Sequence, residues 1–65
     1  MFFKINNKNV VNLNEVAYVA LEQNQMGLFE VRIFLKNVEH YMFVQYIEEE
    51  EAQEVFEALA NRLLA

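Results

Sequence analysis

Two periods divide the chain. Along Val16 to Gln23, Leu28 to Lys36 and Glu39 to Ile47, apolar side chains alternate with their neighbours, the two-residue period of a strand. Beyond them Ala52, Val55, Phe56, Leu59 and Leu63 fall at three- and four-residue spacing, which is one face of a helix. Upstream, Phe2-Phe3-Lys4-Ile5 and Val10-Val11-Asn12-Leu13 read as two short strands. A turn at Asn6-Asn7-Lys8-Asn9 separates them, and Asn14-Glu15 turns the chain into the first long strand. Gln23-Asn24-Gln25-Met26-Gly27 is a loop that puts the only glycine where a positive φ is wanted. Asn37-Val38 marks a tight turn, although Val suits a primed turn poorly and leaves room for an extra loop residue. The expected fold is α+β: a curled antiparallel sheet of four to five strands, with one C-terminal helix packed on one face and residues 1–65 forming a single domain.

Pairing the strands gives the faces of that sheet. Closing the second hairpin at Asn37-Val38 sets Ile33 opposite Met42, Val31 opposite Val44 and Phe29 opposite Tyr46, with Lys36 and Glu39 as a salt pair. A loop over Gln23–Gly27 sets Leu21 by Phe29, Val19 by Val31 and Ala17 by Ile33. One face is then apolar across three strands, as a helix-covered face should be. The other face reads Tyr18, Arg32, Phe43 in one row and Val16, Phe34, Tyr41 in the next. A sheet face turned to water should be polar. Here an arginine sits between rings, where it can stack on them, and such a patch on a small domain implies a covering partner.

Composition narrows the chemistry. The 65 residues include 10 acidic and 5 basic side chains, one His, no Cys and no Pro, for a net charge of −5. Ser, Thr, Asp and Trp are also missing, through either a compositional bias of the gene or a reduced, engineered alphabet. Without Ser, Thr or Cys there is no common side-chain nucleophile, and His40 alone makes neither a zinc site nor a catalytic couple. No catalytic, cofactor-binding or metal residues are assigned, and no cofactor is expected. Disulfides and structural zinc being excluded, oligomerisation is the remaining supplement for so small a core, and a homodimer is expected. Glu48, Glu49, Glu50 and Glu51 precede the helix, where its dipole favours negative charge. They are either a solvated helix start standing in for a missing cap or an acidic contact patch for a basic protein. The absence of an apolar run of about 20 residues, and of a signal-like apolar stretch after Met1-Phe2-Phe3-Lys4, points to a cytoplasmic protein without a membrane role.

Val11-Asn12-Leu13-Asn14-Glu15-Val16-Ala17-Tyr18-Val19, a hairpin, and then Glu-Glu-Glu-Glu-Ala together resemble small uncharacterised proteins of bacteria and their phages. That resemblance carries no activity. The order of strands followed by one helix is also similar to Whirly-type single-stranded DNA-binding domains, which implies a dimer binding along its sheet. This chain departs from that pattern in charge, because Lys4, Lys8, Lys36 and Arg32 are few and Glu22, Glu30 and Glu39 share the broad sheet surface. The leading expectation is a non-enzymatic protein-interaction module, regulatory or, in a phage, inhibitory toward a host protein. Its interaction face is Val16, Tyr18, Arg32, Phe34, Tyr41 and Phe43. The alternative is a single-stranded nucleic-acid binder that uses the same rings as stacking platforms.

Overall fold

In the computed structural model, which describes residues 1–65, the order is β1 (Phe2–Lys4), β2 (Val10–Asn12), a 3-10 turn (Leu13–Glu15), β3 (Val16–Gln23), β4 (Phe29–Leu35), β5 (Tyr41–Tyr46) and α1 (Glu49–Leu64). The fold is α+β. Hydrogen bonding divides the strands into two antiparallel sheets, β1-β2 and β3-β4-β5, and not the single curled sheet that the alternation suggested. The division falls at the 3-10 turn. There the Asn12 side chain accepts a hydrogen bond from the Asn14 amide, and the chain coils instead of continuing as a strand.

Asparagine does most of the turning in a chain that lacks Ser, Thr and Asp. Asn6 Oδ1 accepts from the Lys8 amide and from Asn9 Nδ2, closing the β1-β2 hairpin. Asn24 Oδ1 accepts from the amides of Met26 and Leu28, while the Asn24 amide donates to the Leu28 carbonyl. The β3-β4 loop therefore runs over residues 24–28 and begins at Asn24, not at Gln23. Gly27 within it has φ +83°. Asn37 at φ 60° turns the β4-β5 loop, which spans residues 36–40 and so replaces the tight two-residue turn.

The β4-β5 register is the expected one, with Val31 opposite Val44, Arg32 opposite Phe43 and Phe34 opposite Tyr41. The proposed Lys36–Glu39 ion pair does not form; the one salt bridge joins Arg32 to Glu30. Between β3 and β4 the pairing is Gln23 with Phe29, Leu21 with Val31 and Val19 with Ile33, which is two positions from the expected register. A shift of two preserves the faces, because strand side chains repeat with period 2. Between Val16 and Tyr18 the register slips, so that Val16 pairs with Leu35. This irregularity turns Val16 inward.

One buried cluster holds the layers together. Val31 and Ile33 of the central strand and Ala52 and Leu59 of α1 have no exposed surface, and Ile5, Val11, Leu13 and Val16 complete the cluster from the N-terminal quarter. The helix begins after Glu48, whose side chain makes no capping bond, with Glu49, Glu50 and Glu51 in its first turn. Those charges meet the positive end of the helix dipole in place of a cap. No helix is long and apolar enough to cross a membrane.

Candidate interaction surface

The face of β3-β4-β5 away from the helix has an aromatic half and a polar half. Tyr18, Phe34 and Tyr41 form one row across the three strands. The Tyr18 and Phe34 rings stack at 4.3 Å and 10°, Phe34 and Tyr41 lie 4.9 Å apart, and Tyr41 and Phe43 lie 6.1 Å apart. These are the separations of interacting aromatic pairs. Phe34, flanked on both sides, is half-buried, whereas Tyr18, Tyr41 and Phe43 are 57%, 41% and 51% exposed. Cross-strand register thus assembles a continuous strip of rings open to solvent.

The next rows along the strands are Ala20, Arg32, Phe43 and then Glu22, Glu30, Gln45. Glu30 is buried on this outer face. Its carboxylate accepts hydrogen bonds from Gln45 Nε2 at 3.0 Å, Asn24 Nδ2 at 3.0 Å and Arg32 Nε at 2.9 Å. The bonds from Gln45 and Asn24 hold the Glu30 carboxyl below its ordinary range despite its burial, and Arg32 adds to the effect. In return, the bond to Glu30 keeps the Arg32 guanidinium more firmly protonated. The same guanidinium lies 5.4 Å from the Tyr41 ring centre. Arg32 is therefore engaged on both sides, with its charge compensated by Glu30. On the inner face, burial pushes the Tyr46 phenol up, and the nearby charge of Glu51 adds to it.

Of the residues expected to share an interaction face, Tyr18, Arg32, Phe34, Tyr41 and Phe43 are brought together. Val16 is not: it is 6% exposed and belongs to the core, because of the register slip beside it. Glu48, Glu49, Glu50 and Glu51 are all exposed on the opposite layer. Glu50, Glu54 and Glu57 line a shallow polar groove with Gln53 along the outward side of α1, so the acidity extends down the helix. No three carboxylate or imidazole groups converge as metal ligands, and His40 is exposed in the β4-β5 loop.

Two features lie outside the expected surface. The Glu30–Asn24–Gln45–Arg32 cluster depends on contacts across three segments, and its only signal in the sequence is a Glu in register with a Gln. A second opening, of about 350 Å³, lies between β3 and the end of α1, and its lining of Ala17, Tyr18, Val19, Phe56, Ala60, Leu63 and Leu64 is entirely hydrophobic. Phe56 and Leu63 belong to the apolar stripe of the helix, and Ala60 and Leu64, which extend it, are its trace in the sequence. No protein-family model, curated protein or solved structure matches this chain, and the reading of its surface rests on these residues.

Proposed function

We propose that this chain is a non-enzymatic protein-interaction module whose aromatic strip docks on a protein partner. The observation that carries this reading is the exposed strip Tyr18–Phe34–Tyr41–Phe43 on the sheet face opposite the core. Rigid rings held by cross-strand stacking lose little conformational freedom when covered, which suits them as interface anchors. The acidic side of α1 makes a basic protein surface the natural second contact. A nucleic-acid role has weaker support. The face carries Glu22 and Glu30, its one arginine is already paired, and the net charge is −5.

Two measurements test the proposal. A photo-reactive phenylalanine analogue at Phe43 should give a discrete protein adduct in the native host, and the same analogue at the exposed Asn61 should not. A labelled single-stranded oligonucleotide should show no binding at low salt. Failure to form an adduct at Phe43, or oligonucleotide binding that weakens steeply with salt, would overturn the reading in favour of no docking or of the nucleic-acid alternative.

A further inference from the structure

We propose that a second copy of this chain occupies the free edge of β3. The two β3 strands pair antiparallel about a two-fold axis, and the two helices meet through Phe56, Ala60, Leu63 and Leu64. This site shares Tyr18 with the aromatic strip but does not depend on the strip's role.

The sheet order β3-β4-β5 leaves the outward main chain of β3 without a partner along its eight residues. Exposed edges are normally blunted by charge, proline or a bulge. Here Glu22 is the only charge, proline is absent, and the irregularity between Val16 and Tyr18 touches only one end. β5 is also an open edge, but no apolar opening adjoins it. Beside β3 lies the groove of about 350 Å³, with seven hydrophobic lining residues and no polar one. An open edge next to an apolar groove is the arrangement that strand addition uses, with the main chain supplying hydrogen bonds and the groove accepting side chains.

The choice of a second copy rests on shape, charge and area. A two-fold axis through the β3 edge, normal to the sheet, places both helices on the same side and turns both grooves toward the seam. Phe56, Ala60 and Leu63, with Leu64 84% exposed beside them, then face their own counterparts across it, and the small Ala60 permits close approach. With Val19 at the axis, the two Glu22 side chains lie toward opposite ends of the paired strands, about 20 Å apart. Two chains of net charge −5 thus meet through the surface that carries almost none of it. The chain exposes 4860 Å². A compact monomer of 7.7 kDa should expose about 4,300 Å². That surplus of about 500 Å² in each chain is surface that a second copy can cover. The resulting six-stranded sheet sets Tyr18 of each copy beside the partner's Ala20, joining two aromatic strips into one surface.

Light scattering across a dilution series should give twice the 7.7 kDa chain mass, falling to one chain mass at the lowest concentrations. The double variant Ala60→Glu with Leu64→Glu should be monomeric throughout. Leu64→Glu alone, at a position with little monomer packing to lose, should weaken the dimer by about thirtyfold or more while the circular dichroism stays that of a folded chain. Phe43→Lys should leave the mass unchanged. A wild-type chain that is monomeric at every concentration, or a dimer that survives Leu64→Glu at full affinity, would overturn the proposal. Loss of the dimer in Phe43→Lys with retention in Leu64→Glu would move the self-contact to the aromatic strip.

Discussion

Leu59 and Leu64 are the same residue on the same helix, and their burial makes opposite demands. Leu59 has no exposed surface, packed against the central strand, and Leu64 is 84% exposed. Truncating a fully buried leucine removes its transfer free energy and leaves a cavity that the surroundings fill only in part, at about 2–5 kcal/mol. A chain of this length has about 3–10 kcal/mol of total stability. Leu59→Ala should therefore remove about a fifth of it at the least, and near the middle of both ranges about half. At about 4–8 °C per kcal/mol for a domain of this size, a loss of about 3 kcal/mol lowers the midpoint by about 12–24 °C. Leu64→Ala should change stability by no more than about 0.5 kcal/mol when measured at concentrations where the chain is monomeric. Urea and thermal melts followed by circular dichroism give both values. Midpoints for the two variants within a few degrees of each other would mean that the assigned helix face is wrong, and with it the packing of α1 on β4.

Three further outcomes follow from named contacts. Glu30 has a folded-state pKa below its ordinary value, so its charged form adds stability that is complete above the unfolded pKa and is lost as pH falls through the lower folded one. Melting midpoints from about pH 6 down to about pH 3 should therefore fall less steeply for Glu30→Gln than for the wild type; equal slopes would show that the Gln45, Asn24 and Arg32 bonds do not favour the anion. Gly27 has φ +83°, and an added Cβ would meet nothing nearer than Gln23 Nε2 at 4.0 Å. Gly27→Ala should thus be destabilised by about 1–2 kcal/mol through backbone strain alone, and Gly27→Asn by less; a neutral Gly27→Ala melt would contradict the turn geometry. Val16 is 6% exposed and Val10 59%. Val16→Thr buries a hydroxyl and should cost about 1–3 kcal/mol, against almost nothing for Val10→Thr. Equal denaturation midpoints would return Val16 to the outer face.

The outer face was legible because of parity. Tyr18, Arg32, Phe34, Tyr41 and Phe43 share it under either β3-β4 register, since the expected and observed pairings differ by two positions and side chains alternate with period 2. The identity of the loop's first residue was not legible: Gln23 and Asn24 are both polar, and only the three-dimensional loop shows that Asn24 Oδ1 binds two amides at once. Val16 was misplaced for a related reason, because strict alternation has no means of announcing a register slip at Ala17. The separation into two sheets also lay outside local pattern, since the 3-10 turn at Leu13–Glu15 looks like any short connection until its hydrogen bonds are drawn. The buried cluster around Glu30 needed contacts from residues six and fifteen positions away.

The first fifteen residues are attached to the rest in an uneven way. Ile5, Val11 and Leu13 insert into the common core, yet across space the one main-chain hydrogen bond from this segment to the part beyond β3 runs from the Lys36 amide, just past the end of β4, to the Glu15 carbonyl at 2.8 Å. Side-chain burial is thus shared between the two parts, while the backbone ladders remain separate. A ladder opens cooperatively within itself, so the β1-β2 ribbon can peel away and close again while β3-β4-β5 and α1 stay intact. Amide deuteration should register this as two tiers of protection. Exchange at Phe3 and Val11 would follow local opening, and exchange at Val31, Ile33 and Leu59 would follow complete unfolding. A single uniform tier would show instead that the shared core welds both ladders into one cooperative unit.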